Sequence, residues 1–367
     1  AVPLGAYFPS PDFWRSSTAG AAAGAPAGTE TSGVVQPPVH ALAVWLVHST
    51  DPAASRRRGF LQRLRPRLVA WHDYLTGQRD LGGHGLVSVV HPWEPGMDNS
   101  PCWDAPLRRV KPAEPGSFRR ADLDHGAAAD RPTDLDYGRY VRLAADYRDN
   151  GYRDGVETHA FAVEDPGFNA LLVASEHALA RIAAATGEDP TPHRDRATRL
   201  TAVLLDRLWD EEHALFLCRD VHDDAPVRER SAAGLVPLLV PGLPPEIAAA
   251  LVRTAASPHF GMGGATRLVP SYDLSGPAFD PHRYWRGPAW FNVNWMLERG
   301  LRRHGFTEQA DALRESALAV AACSGFAEYV DPFTGTARGT RNFGWTAALA
   351  LDWLAAAARE AAWEETR

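Results

Sequence analysis

Lysine is all but missing from this 367-residue sequence, where Lys111 stands alone and arginine has taken the place of the rest. With alanine so abundant, that skew reflects a GC-rich genome rather than a function. Basic residues are also outnumbered, 38 Lys and Arg against 45 Asp and Glu for a formal charge of -7. No cationic excess is therefore on hand to neutralise phosphates or hold an anionic membrane, which argues against nucleic acid as a partner. No apolar run approaches the roughly 20 residues needed to cross a bilayer. The opening AVPLGAYFPSPDFW lacks a basic stretch followed by an apolar one, so the chain reads as cytoplasmic with no membrane partner. Three cysteines, Cys102, Cys218 and Cys323, are odd in number and far apart, which excludes a disulfide framework and a CxxC metal knuckle. There is no GxSxG elbow, no HExxH, no GxxxxGK(S/T) and no GxGxxG after a strand. The 14 histidines, His40, His91 and His282 among them, show no ligand spacing, so the sequence asks for neither a metal nor a cofactor.

What is present is a 45% hydrophobic chain, long enough to bury a large core. Residues 1–33 are rich in Gly, Pro, Ser and Thr without a period and read as a loop or extended arm. Helical periodicity then sets in at PPVHALAVWLVH, where Pro37 and Pro38 suit a helix start, and at SRRRGFLQRLRPRLVAWHDYL. It returns in TDLDYGRYVRLAADYRD, GFNALLVASEHALARIAAATG, RDRATRLTAVLLDRLW, LPPEIAAALVRTAA, GPAWFNVNWMLERGLRRHG, TEQADALRESALAVAAC and WTAALALDWLAAAARE. Strand signals are short and few, LVSVV and LFLCRDV, so the predicted class is all-α. Stretches 104–133 and 256–283 exceed the usual helix-to-helix connection of roughly 2 to 8 residues and are the candidate active-site loops. Paired helices of similar length suit a closed toroid of hairpins, while the lack of a short fixed repeat disfavours a solenoid. No shift in composition marks a linker, and residues 1–367 read as one domain.

Three segments carry the chemistry. In HPWEPGMDNSPCWD, residues 91–104, Glu94, Asp98 and Asp104 lie among Trp93 and Trp103 beside Gly and Pro. That mixture suits a sugar, whose apolar ring face stacks on indole while carboxylates take hydroxyls and the glycosidic oxygen. Asp98 and Asn99 would serve equally as helix caps, the commoner use of such residues. In RYWRGPAWFNVNW, residues 283–295, Pro288 fits a helix start, so Tyr284, Trp285 and Arg286 should project from the loop before it. An aromatic core stripe accounts for Trp290 and Trp295 but leaves an exposed-looking corner at Arg286 and Gly287. In FAEYVDPFTGTARGTRNFGWT, residues 326–346, Glu328 follows an alanine-rich helix and precedes a glycine-rich loop. Glycosidases need two carboxyls flanking the scissile bond, and a gap of roughly 6.5 to 9.5 Å admits a water and gives inversion. Asp98 and Glu328 are candidates for such a pair.

Taken together these residues resemble glycoside hydrolase family 63, and within it the bacterial glucosylglycerate and mannosylglycerate hydrolases. The likeness runs through AYFPSP, GVVQPPVHALAV, HPWEPGMDNSPCWD, RPTDLDY, YWRGPAW, FAEYVDPFTG and GWTAALALDWL. It implies an (α/α) six-hairpin toroid with the site in its mouth beneath long loops, and hydrolysis of an α-glycosidic bond with inversion. By motif it makes Asp98 the general acid and Glu328 the general base. The acid must stay protonated near neutrality, which predicts a raised pKa from burial against Trp93 and the nearby charge of Glu94. For the sugar ring the resemblance points to Gln36, Trp93, Glu94, Tyr284 and Trp285, with Trp290 nearby as a wall. For a glycerate aglycone it points to Tyr7, Arg131 and Tyr137, a guanidinium fork and phenols suited to a carboxylate. Two departures stand out. A tryptophan-rich WSWD-like segment on the family's first helices has no counterpart here, so the toroid is expected to lack its first helices. Asn342-Phe343-Gly344 also occupies the place of a glutamine that glycerate-specific relatives carry.

The reading is thus an exo-acting α-glycosidase that releases glucose from 2-O-glucosylglycerate, or mannose from the mannosyl analogue. One alternative is an α-glucosidase of another specificity, for an oligosaccharide or trehalose, which has no carboxylate for Arg131 and Tyr137 to grip. Another is a non-catalytic sugar-binding domain, favoured by the missing helices and opposed by the two intact carboxyl motifs.

Overall fold

The computed structural model describes residues 33–123 and 128–364 and is mostly helical. The first helices are α1 (His40–Thr50), α2 (Pro52–Arg57) and α3 (Phe60–Gln78). The sequence pattern at 55–75 runs as one helix, but the chain breaks at Gly59, whose φ of +55° is open to glycine. A short strand β1 (Ser88–Val89) delivers the chain to the HPWEPGMDNSPCWD segment. Beyond the long loop, α4 (Asp134–Asp149) opens on a capping box: Thr133 accepts from the Asp136 N–H at 3.2 Å and Asp136 accepts from the Thr133 N–H at 3.2 Å.

β2 (Val163–Glu164) leads into α5 (Pro166–Thr186), whose start is fixed by Asp165 accepting the Phe168 N–H at 2.6 Å. Gly187 closes that helix in the left-handed region, φ +79°. α6 (Thr191–Leu208) packs back on α5, followed by the hairpins β3 (Trp209–Asp210) with β4 (Leu215–Phe216) and β5 (Arg219–Asp220) with β6 (Ala225–Pro226). Then come α7 (Pro245–Ala256), β7 (Ala289–Trp290), α8 (Phe291–Arg303), α9 (Thr307–Cys323), β8 (Tyr329–Val330), β9 (Ala337–Arg338) and α10 (Gly344–Glu364). Helix α8 starts three residues after Pro288, later than the sequence suggests, because Ala289 and Trp290 pair with Val330 and Tyr329. Tertiary pairing here outweighs the local helix signal.

One large buried cluster runs from Val35 and Leu75 through α5 to Leu297, Tyr329 and Trp353, and a smaller one joins α1, α3 and α5. α5 and α8 use the same device near their first turns. Asn169 accepts from the Val87 N–H and donates to the Val87 carbonyl, both at 2.9 Å; Asn294 does so with Val269 at 2.9 and 3.1 Å. Each buried amide pins a backbone segment from earlier in the chain to its helix and leaves no polar atom of that pair unmatched. Two antiparallel sheets, β1-β2-β5-β6 and β7-β8-β9, then fix where the loops emerge. Among the described residues no helix is long and apolar enough to cross a membrane.

Candidate active site

The segment that carries Asp98 is held from beneath. His91 is fully buried, its Nε2–H donating to the Tyr140 carbonyl at 2.9 Å, so Nδ1 is free to accept the Trp93 N–H at 3.1 Å. Burial pushes its pKa down to about 4, which keeps the ring neutral. Trp93 rests against His91, with ring centroids 4.5 Å apart, and meets Tyr137 and Tyr140 edge-on. Tyr140 reaches on to donate to the backbone carbonyl of Asp98 at 2.7 Å.

Glu94 differs from its expected place as an open sugar ligand. It is wholly buried, and its carboxylate accepts from the Val35 N–H at 3.0 Å, the Val90 N–H at 2.7 Å and the buried Arg79 guanidinium. Those donors occupy both oxygens, so Glu94 ties the segment that carries Asp98 to the extended stretch that leads to Gln36. Glu94→Ala would leave the buried Arg79 with only the longer pairing to Asp154 at 3.7 Å and is expected to lower unfolding stability by about 3 kcal/mol, measured by urea denaturation.

Asp98 retains some exposed surface but lies deep among protein atoms. Burial is the largest influence and pushes its carboxyl up to about 7; Arg131 opposes this, and the charges of Glu328 and Asp122 add to it. Glu94, whose charge is matched by Arg79, is not among the leading influences on Asp98; Glu328 and Asp122 are the leading negative neighbours. Glu328 sits at the entry to β8, its N–H bonded to the Thr340 carbonyl at 2.8 Å and its Oε2 accepting from the Thr340 N–H at 3.1 Å. Gly339 makes room for it: a Cβ there would lie 2.6 Å from Glu328 Oε2, and its φ is +63°. A carboxyl protonated near neutrality opposite a second carboxyl is the equipment for acid–base hydrolysis.

The aromatic residues form a column. Trp285 and Trp290 stack at 4.0 Å and 3°, Trp290 stacks on Tyr329 at 4.7 Å, and Tyr284 stands edge-on to all three. Trp285 and Trp290 are almost wholly buried, so they form the wall behind Tyr284 rather than an open platform. Tyr284 sits at φ +37°, a strained value for an aromatic residue, and its carbonyl accepts Trp290 Nε1–H at 3.1 Å. Above its ring lies the Arg131 guanidinium, 4.9 Å from the centroid.

The backbone N–H of Arg131 is bonded to the Ala128 carbonyl at 3.2 Å, while its guanidinium makes no hydrogen bond or ion pair among the described residues. The guanidinium over Tyr137 belongs to Arg120, at 4.3 Å, which is itself engaged by Asp122, Asp134 and the Pro132 carbonyl. Tyr137 still neighbours the site: burial raises its pKa, with Asp98 and Arg131 both acting on it. Gln36 is exposed and reaches the Trp93 carbonyl at 3.4 Å. Tyr7 lies outside the described residues. Of the two long loops, 104–133 supplies Arg131 and Asp122, whereas 256–283 backs the aromatic segment, Ser271 accepting the Gly287 N–H at 3.0 Å.

Sequence reasoning missed Arg79, Tyr140 and Tyr329, whose partners lie in other segments. It also took Arg286 for an exposed corner; the structure turns it inward onto Asp104. Among the described residues one group of three could offer ligands to a metal ion: His213 lies by Asp210 and Glu212, where it bonds Asp210 at 2.7 Å while Glu212 pairs with Arg228. A cavity of about 650 Å³ beside Met262, Arg267 and Phe333 is lined by none of the candidate catalytic, sugar or glycerate residues. Another, of about 340 Å³, runs behind the acid segment past Gln36, Met97, Asp165 and Trp285.

Residues 6–346 match the family described as mannosylglycerate hydrolase MGH1-like glycoside hydrolase domain. The mannosylglycerate hydrolase of Rubrobacter radiotolerans is 40% identical over 352 residues, 95% of this chain and 79% of that protein. The glucosylglycerate hydrolase of Mycolicibacterium hassiacum is 36% identical over 365 residues, 95% of this chain and 80% of that protein. Among solved structures, the mannosylglycerate hydrolase of Thermus thermophilus in complex with Tris and D-glycerate superposes with a TM-score of 0.82 at 39% identity, over 89% of this chain and 79% of that one.

Proposed function

Because this chain belongs to the mannosylglycerate hydrolase MGH1-like glycoside hydrolase family, we propose that it hydrolyses the α-glycosidic bond of a 2-O-glycosylglycerate with inversion. The observation that carries this reading is the pairing of a carboxyl whose pKa lies at about 7, Asp98, with the guanidinium of Arg131, which rests on the Tyr284 ring, keeps its N–H donors free of protein acceptors among the described residues and is close enough to act on Asp98. The protonated Asp98 gives its proton to the bridging oxygen as that bond breaks. Glu328 takes a proton from a water that attacks the anomeric carbon from the opposite face, so the sugar leaves with the other anomeric configuration. Glycerate departs with the proton from Asp98, and exchange with solvent restores both carboxyls.

Trp93, Gln36 and Tyr284, backed by Trp285 and Trp290, would enclose the sugar ring. Arg131 and the Tyr137 hydroxyl would take the glycerate carboxylate, with Tyr7 added to them by motif. Support for glycerate comes from the relatives' names and from the relative crystallised with it. Both glucosyl and mannosyl substrates remain within this reading, since the relatives include one named for each. The same reading closes the helical pairs into a six-hairpin toroid forming one domain, with 104–133 and 256–283 at its mouth.

Arg131→Ala tests the aglycone. Losing a charge-assisted hydrogen bond should lower kcat/KM for a glycerate glycoside about 10- to 100-fold, measured by steady-state release of the sugar. Neutral α-glucosides should be spared. Equal losses on both classes would remove the case for glycerate.

A further inference from the structure

We infer that Arg286 is a positioning residue for this reaction, clamping the segment that carries Asp98 to the segment that leads to Glu328. The inference rests on the assignment of those two carboxyls above. Arg286 is largely buried, its side chain 14% exposed, and grips Asp104 with both ends of its fork, at 2.9 and 2.5 Å. The same Nη1 donates to the carbonyl of Asn99, next to Asp98, at 3.2 Å. In the return direction Asn99 Oδ1 accepts the Trp285 N–H at 2.8 Å. Residues 98–104 and 284–286 are thereby joined at three points although about half the chain separates them.

From Arg286 the backbone continues through Gly287 and Pro288 into β7, where Trp290 pairs with Tyr329, the neighbour of Glu328. The path from acid to base is thus short and made of hydrogen-bonded pieces. Gly287 shows how closely this turn is packed, since a Cβ there would lie 2.4 Å from the Asp280 carbonyl oxygen. The clamp also secures the turn that holds Tyr284 at φ +37°. The gap between the carboxyls decides whether a water fits, so a device that fixes it acts on the chemical step. Only a planar fork can bridge a carboxylate and a carbonyl at once; a lysine ammonium keeps the charge and loses the geometry. The charges that act most strongly on Asp98 are Arg131, Glu328 and Asp122, so the part assigned to Arg286 is geometric.

The test uses the full chain and two variants, Arg286→Lys and Asp104→Asn, the second a mild change at a half-exposed position. Steady-state kinetics should show kcat down by about 100-fold with KM within about threefold of wild type. Without substrate, NMR titration of a ¹³C-labelled Asp98 carboxyl should show its midpoint falling from near neutrality towards the ordinary carboxylate range, as water enters a loosened seat. An unchanged kcat and an unchanged Asp98 midpoint in folded variants would overturn the clamp. So would a raised KM with kcat intact, which would make Arg286 a substrate ligand. Should the wild type turn over no glycoside, the reaction assignment fails, while the titration still decides the clamp.

Discussion

Asp98→Asn is expected to cut kcat by about 100- to 10,000-fold, since the amide keeps the shape of the carboxyl but has no proton to give the departing oxygen. Substrate affinity should hold, as the side chain still fills its place. With its pKa at about 7 against an ordinary 3.8, Asp98 is protonated at pH 6 and largely ionised at pH 8. Wild-type activity should therefore fall as pH rises through 7, and the residual activity of the variant should lack that limb. Stability runs the other way. Between the two pKa values the folded state holds a proton that the unfolded state has released, so wild-type stability falls as pH rises through this window. The asparagine variant escapes that loss and should melt at a higher temperature than wild type at pH 8. Lower activity together with higher stability is a signature that a merely damaging substitution does not give.

Glu328→Gln is the second large effect, again about 100- to 10,000-fold in kcat, because a glutamine cannot take the proton from the attacking water. It carries an independent mark. The negative charge of Glu328 helps to hold the Asp98 pKa up, so its removal should shift the alkaline limb of the remaining activity to lower pH. A loss of activity with the limb unmoved would place Glu328 too far from Asp98 to act with it.

Much of the helical frame is legible in the sequence because its signals are local. The capping box at Thr133 and the Asp165-Pro166 start each state their helix within four residues. Helix α8 is misjudged at its start, since the pairing of Ala289 and Trp290 with a strand 40 residues away leaves no local trace. The carboxyls of the site stand out by their setting among tryptophan, glycine and proline, yet what each does depends on distant partners. Glu94 carries the same surface signals as Asp98, and only its burial against Arg79 shows that it supports the segment rather than facing the substrate. Arg286 and Asp104 are 182 positions apart, a separation from which no spacing rule reads an ion pair. Tyr140 looks like one more apolar position on a helix until its hydroxyl is seen on the Asp98 carbonyl.

Hydrolysis of a glycerate glycoside with inversion is decided by proton NMR on the intact protein mixed with α-glucosylglycerate, α-mannosylglycerate or trehalose. Free glycerate together with the β anomer of glucose or mannose as the first sugar seen is expected from at least one glycerate substrate, and not with the Asp98→Asn variant. The α anomer first, release from trehalose alone, or no release by folded wild-type protein would contradict it.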